Sequence, residues 1–128
     1  MDVVLEKKYY ENVDTSIAIS SHNSQNSLIL CISHILNFTV GNYELLIMLD
    51  SSTDNTKERI VQYFEKSSNK INLRVWEHFD PLWESASENV MFSMAKSNKF
   101  FISLQPDQFV NEYRWNKILQ MPFEQYQD

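Results

Sequence analysis

Apolar and polar positions alternate between two periods along the chain. Ser16-Ile-Ala-Ile-Ser20 is a short apolar run, and Leu28, Cys31, Ile32, Ile35 and Leu36 then recur at helical spacing, which predicts a strand followed by a core-facing helix that Ser24 or Asn26 can cap. Gly41, the only glycine, closes this unit. A second unit repeats the order: Leu45 to Leu49 is continuously apolar, and Ile60, Val61 and Phe64 give the next helix its face. Asn55 with Glu58 resembles a capping box at the start of that helix, and Ser67 to Lys70 breaks it.

Ile71-Asn-Leu-Arg-Val-Trp76 alternates as a third strand, with Ile71, Leu73 and Val75 on one face. A third helix is expected from about Trp83 to Lys96, with Ala86, Val90 and Met94 on its inner side and Trp83, Met91, Phe92 and Met94 as core packing. Phe100 to Leu104 is the fourth strand, and a helical pattern around Trp115, Ile118 and Leu119 ends before Pro122. Residues 1–14 show no period and read as an N-terminal arm of a single domain spanning 1–128. Strands that alternate with helices in this way predict an α/β fold. The sheet should be doubly wound and mainly parallel, with helices on both faces.

Composition narrows what such a fold could bind. Seventeen acidic against eleven basic residues give a net charge of −6, which repels phosphate backbones and argues against nucleic acid as a partner. Cys31 is the only cysteine, so no internal disulfide is expected. With no apolar run long enough for a membrane span and no signal-peptide core, the expected location is the cytoplasm.

The candidate chemistry lies where strands end. The first strand empties into Ser21-His22-Asn23-Ser24, the second into Asp50-Ser-Ser-Thr-Asp54-Asn-Thr56, and the fourth into Gln105-Pro106-Asp107-Gln108. If these strands are neighbours, Asn23, Asp50, Asp54 and Asp107 share one rim, which is where open α/β sheets bind ligands. A carboxylate at Asp50 suits base N–H or ribose hydroxyl donors, and Asp107 suits a Mg²⁺ or Mn²⁺ ion on a diphosphate. Asp50 is expected to face solvent or ligand, so that its removal would cost little stability.

These loops and their spacing resemble the nucleotide-binding half of GT-A fold glycosyltransferases, in particular the large inverting family that uses nucleotide-diphospho-sugars. The resemblance covers roughly residues 15–120. It implies that Ser21, His22 and Asn23 touch the nucleoside. It also implies that Asp50, Ser52, Asp54 and Thr56 match the Asp-x-Ser-x-Asp-x-Thr loop for base and ribose, and that Ser85-Ala-Ser-Glu-Asn89 stands for the family's Ser-x-Ala-Arg-Asn helix. The metal motif Asp-x-Asp falls on Gln105-Pro106-Asp107, leaving Asp107 as the metal ligand with Gln105 at the other position. Glu88 replaces a basic residue.

The implied partner is a nucleotide-diphospho-sugar such as a uridine diphosphate sugar, with Mn²⁺ or Mg²⁺ as cofactor. A complete enzyme of this family needs further chain for its acceptor site and base, and no residue here is assigned as catalytic. Sugar transfer is therefore implied where that remainder is present, and a non-catalytic GT-A-like binding or assembly module where it is not. Ser51 to Thr56 also resembles the phosphate loop of flavodoxin-like flavin carriers, although there the loop follows the first strand.

Overall fold

The computed structural model describes residues 1–125. Its central strand, β3 (Tyr43–Asp50), is buried at every position, as a run of Leu, Ile and Met between two helical layers requires. β2 (Thr15–Ser21) and β4 (Asn72–His78) pair with it in parallel, and β5 (Phe100–Leu104) pairs in parallel with β2. α1 (Gln25–Phe38), α2 (Thr56–Lys66) and α3 (Trp83–Met94) make the crossovers, and α4 (Trp115–Gln125) follows β5.

Alternate side chains of the strands feed two cores. Ile17, Ile19, Leu45, Ile47, Leu73 and Val75 meet Leu28, Ile32, Ile35, Ile60 and Phe64 of α1 and α2. Ala18, Leu46, Met48 and Trp76 meet Met91 of α3 on the opposite face. The fold is thus α/β and doubly wound, and each fully buried Leu, Ile or Met in these layers contributes about 1.5–3 kcal/mol.

Three local expectations change. Residues Asp2–Lys7 form β1, an antiparallel edge strand on β4, rather than an arm without structure. A register shift between Val3 and Leu5 lets both Val4 and Leu5 pack against the core, which breaks the period of two that would have announced a strand. In α3 the buried positions are Ser87 and Met91, Ala86 is exposed, and Trp83 and Phe92 are 71% and 64% exposed rather than core. α4 continues through Pro122 to Gln125 instead of stopping before the proline.

The sheet order β1-β4-β3-β2-β5 contains the feature that positions the site. From β2 the chain winds outward through β3 to β4, then returns to place β5 on the other side of β2. Winding reverses between β2 and β5, so a crevice opens beyond their carboxyl ends.

Candidate functional site

A groove of about 380 Å³ occupies that crevice, lined by Ser20, His22, Ser24, Ser27, Asp50, Trp83, Glu84, Gln105, Pro106 and Asp107. Strand ends from β2, β3 and β5 and the first turn of α3 all contribute, as parallel pairing with reversed winding demands. Of the expected residues, His22, Asp50, Gln105 and Asp107 are brought together here.

The others do different work. Ser52 and Asp54 line a separate depression of about 150 Å³ between the β3–α2 and β4–α3 loops. The Ser21 side chain lies buried beneath the rim, its hydroxyl without a partner among the described residues. Asn23 staples two loops: its Oδ1 accepts the N–H of Thr53 at 2.7 Å and of Asp54 at 3.2 Å, while its own N–H donates to Ser52 Oγ. The four acceptor-bearing residues therefore do not share one rim; Asp50 and Asp107 do.

Asp50 is also differently placed from the expectation that it faces solvent or ligand. It is only 4% exposed, and its two carboxylate oxygens accept the N–H groups of Leu82 and Trp83, each at 2.8 Å. It thus caps α3, a helix that starts more than thirty residues later, instead of the helix that follows it in sequence. The Asp50 carbonyl accepts from Nδ1 of His22 at 2.8 Å, so one residue ties both the histidine ring and the start of α3.

Neither predicted helix cap operates through its side chain. Ser24 sits at the N-cap of α1 but its hydroxyl donates back to the His22 carbonyl, and Asn55 at the N-cap of α2 makes no side-chain cap. Asp54 takes that role: its Oδ1 accepts the Thr56 N–H at 3.1 Å and the Thr56 hydroxyl, and its Oδ2 accepts the Gln25 N–H at 3.3 Å. These bonds also bear on the flavin-phosphate reading of the loop. The N–H groups of Thr53, Asp54, Asn55 and Thr56 donate to Asn23, Gln25 and Asp54 side chains, so these four are engaged within the protein rather than open to a phosphate.

Burial pushes the Asp54 carboxyl up, but hydrogen bonds from Thr56, Gln25 and its own N–H outweigh this and hold it below its ordinary 3.8. A carboxyl depressed by folding stabilises the fold above its unfolded value, and that contribution fades as pH falls through the folded value. Asp54→Asn is therefore expected to flatten the loss of stability below about pH 4, read from urea midpoints across pH. An acid limb identical to wild type would count against it.

Around Asp107 the charge is sparse. The Asp107 carboxylate is exposed, and Gln105 Nε2 donates to Glu84 Oε1 at 2.8 Å across the groove. Glu88, at the position where the resemblance has a basic residue, accepts from Ser103 Oγ on β5 at 2.8 Å and so braces α3. Behind the rim, burial and the nearby Asp107 charge push the Cys31 thiol up to about 12, so it stays protonated at neutral pH. No group of three or more His, Cys, Asp or Glu side chains converges among the described residues. The donor set fits a hard divalent ion only when substrate oxygens complete the shell, as is common for ions held by one carboxylate and a diphosphate.

A larger groove of about 760 Å³ runs between the open edge of β5 and α4, lined by Phe100, Phe101, Ile102, Leu119 and Phe123 among others. It is mostly apolar and lies away from the strand ends, so it lacks the convergent polar groups of a small-molecule site.

Reversed winding, a polar crevice at the switch point and a carboxylate on each of two strand ends define an α/β domain of the GT-A type. S. aureus TarS has the same fold: this chain matches it with a TM-score of 0.71 at 21% identity, over 88% of this chain and 20% of that one. Structures of TarS 1–349 in complex with UDP and with UDP-GlcNAc match with a TM-score of 0.69 over 32% of their length. The chain belongs to glycosyl transferase family 2, whose family model matches residues 16–125. It is also 29% identical over 97 residues to Glycosyltransferase GlyG of Streptococcus pneumoniae serotype 4, covering 76% of this chain and 31% of that protein. It thus spans about a third or less of the relatives it matches. Among the described residues no helix is long and apolar enough to cross a membrane.

The groove also contains Ser20, Ser27 and Glu84, which sequence reasoning passed over, and Trp83, which it assigned to the core. The helical period pointed Trp83 inward and offered no signal for Glu84, because their position depends on Asp50 capturing the start of α3.

Proposed function

We propose that this unit binds the donor of a glycosyltransferase, a uridine diphosphate sugar, with the nucleoside at the Asp50 and His22 end of the groove and the diphosphate toward Asp107. The convergence of His22, Asp50 and Asp107 at the switch point is the observation that carries this reading. Membership of glycosyl transferase family 2 and the fold shared with a protein solved in complex with UDP and UDP-GlcNAc support it.

Asp107 would hold Mn²⁺ or Mg²⁺ jointly with the diphosphate, and the ion would neutralise charge on the departing nucleotide. Gln105 takes one carboxylate out of the motif and engages Glu84, so the ion depends on the substrate for most of its ligands. His22, held through the Asp50 carbonyl, orients one wall of the nucleoside end. Sugar transfer is proposed wherever this unit is joined to an acceptor-binding part.

Calorimetry with UDP, UDP-GlcNAc and a guanosine diphospho-sugar, each with and without Mn²⁺, tests the reading. Uridine nucleotides are expected to bind, more tightly with Mn²⁺, while Mn²⁺ alone gives no measurable heat. Asp107→Asn should abolish the gain from the metal and leave the fold intact, because its side chain is exposed. Absence of binding by every nucleotide would overturn the proposal.

A further inference from the structure

Trp83 is an unusual residue to find where it is. Its φ is +63°, in the left-handed region that a bulky side chain rarely adopts, and its indole is 71% exposed on the wall of the strand-end groove. A residue persists in such a conformation only when its surroundings hold it there. The holder is visible: the Asp50 carboxylate grips the N–H groups of Leu82 and Trp83 together. The same Asp50 contacts His22 through its carbonyl, and His22 lines the same groove. One buried residue therefore holds both the His22 ring and the backbone that carries Trp83, whose indole stands open to solvent beside the polar groups of the groove.

We infer that Trp83 is the stacking platform for the nucleobase. This rests on the nucleotide reading above and deepens it by naming the residue that recognises the base. A planar base offers an exposed indole a π-face as well as apolar area, and such stacking tolerates different bases. Polar recognition by the remaining groove residues would then select among them. The Asp50 bonds fix the backbone from which the ring projects, so little backbone freedom is lost on binding.

The other two tryptophans, Trp76 and Trp115, are 3% and 7% exposed, so accessible tryptophan emission reports Trp83. The test titrates UDP into the whole chain while following tryptophan emission and its quenching by iodide, with affinities taken from calorimetry. Trp83→Phe keeps a ring, and Trp83→Gly removes it while suiting the positive φ, so the latter should fold without strain. UDP is expected to change the emission and shield it from iodide. Trp83→Gly should weaken UDP binding about tenfold, and Trp83→Phe should recover most of that loss. Equal UDP affinity in wild type and Trp83→Gly, with emission unaltered, would overturn the inference and leave the nucleotide reading standing. Failure of wild type to bind UDP at all would overturn both.

Discussion

Replacing Arg74 with methionine is expected to destabilise the fold by about 3–5 kcal/mol, because it strands a buried carboxylate without its counter-charge. Glu44 on β3 is 2% exposed, and its Oε1 meets Arg74 Nη2 of β4 at 2.6 Å. Its other oxygen accepts the Ser16 hydroxyl of β2 at 2.7 Å and the Lys96 N–H just beyond α3 at 2.6 Å. Arg74 also donates to the Met94 carbonyl at the end of α3 and lies over the Trp76 ring.

One ion pair thus joins three strands to the end of a helix, at the end of the sheet away from the groove. Urea denaturation measures the loss. Pairing the change with Glu44→Gln should recover part of it, since a neutral amide keeps an acceptor for Lys96 without burying a charge. A loss for Arg74→Met below about 1 kcal/mol, as for an exposed pair, would show that Glu44 finds other compensation.

Asp50→Ala is the second large effect, and it is expected in stability and in binding at once. Two backbone donors at the start of α3 lose a charged acceptor in a part-buried position, which costs about 2–3 kcal/mol. For a domain of this size that corresponds to a Tm lower by about 10 °C. Asp50→Asn should recover no more than about half, because only one side of an amide accepts. Well below the transition, where the variant remains folded, UDP affinity should also fall as the first turn of α3 and Trp83 loosen. Unchanged Tm with weakened UDP binding would mean that Asp50 serves the ligand alone. A lowered Tm with unchanged binding would mean that it serves the fold alone.

Much of the scaffold is legible in the chain's local patterns. The strand at Phe100–Leu104 has the bounds its apolar run predicts, and α1 buries the expected Leu28, Cys31, Ile32 and Ile35. Both signals are local and strong. The edge strand β1 is not legible, because its bulge disrupts alternation and its exposed positions mix Asp2 and Glu6 with the apolar Val3. Trp83 has the residue type of a core position, but hydrophobic period weighs what a side chain is, without knowing which side of the helix finds a partner. Residue type at the strand ends marks the carboxylates on the groove. Their neighbours Ser20, Ser27 and Glu84 carry no comparable local mark.

From Thr15 onward the sequence by itself determined the kind of elements, their order and the gathering of polar residues at strand ends, since side-chain periodicity and turn chemistry act within a few residues. Tertiary structure decided the rest. Placing β5 beside β2 chose which loops meet, bringing Asp107 to Asp50 and leaving Asp54 outside the groove. Hydrogen bonds between residues about thirty positions apart then decided roles: Asn23 became a staple between loops, Asp54 tied the start of α1 in addition to its local cap on α2, and Asp50 became the anchor of the Trp83 backbone at the start of α3. A carboxylate has few acceptor positions, and which donors claim them depends on what the folded chain brings within about 3 Å.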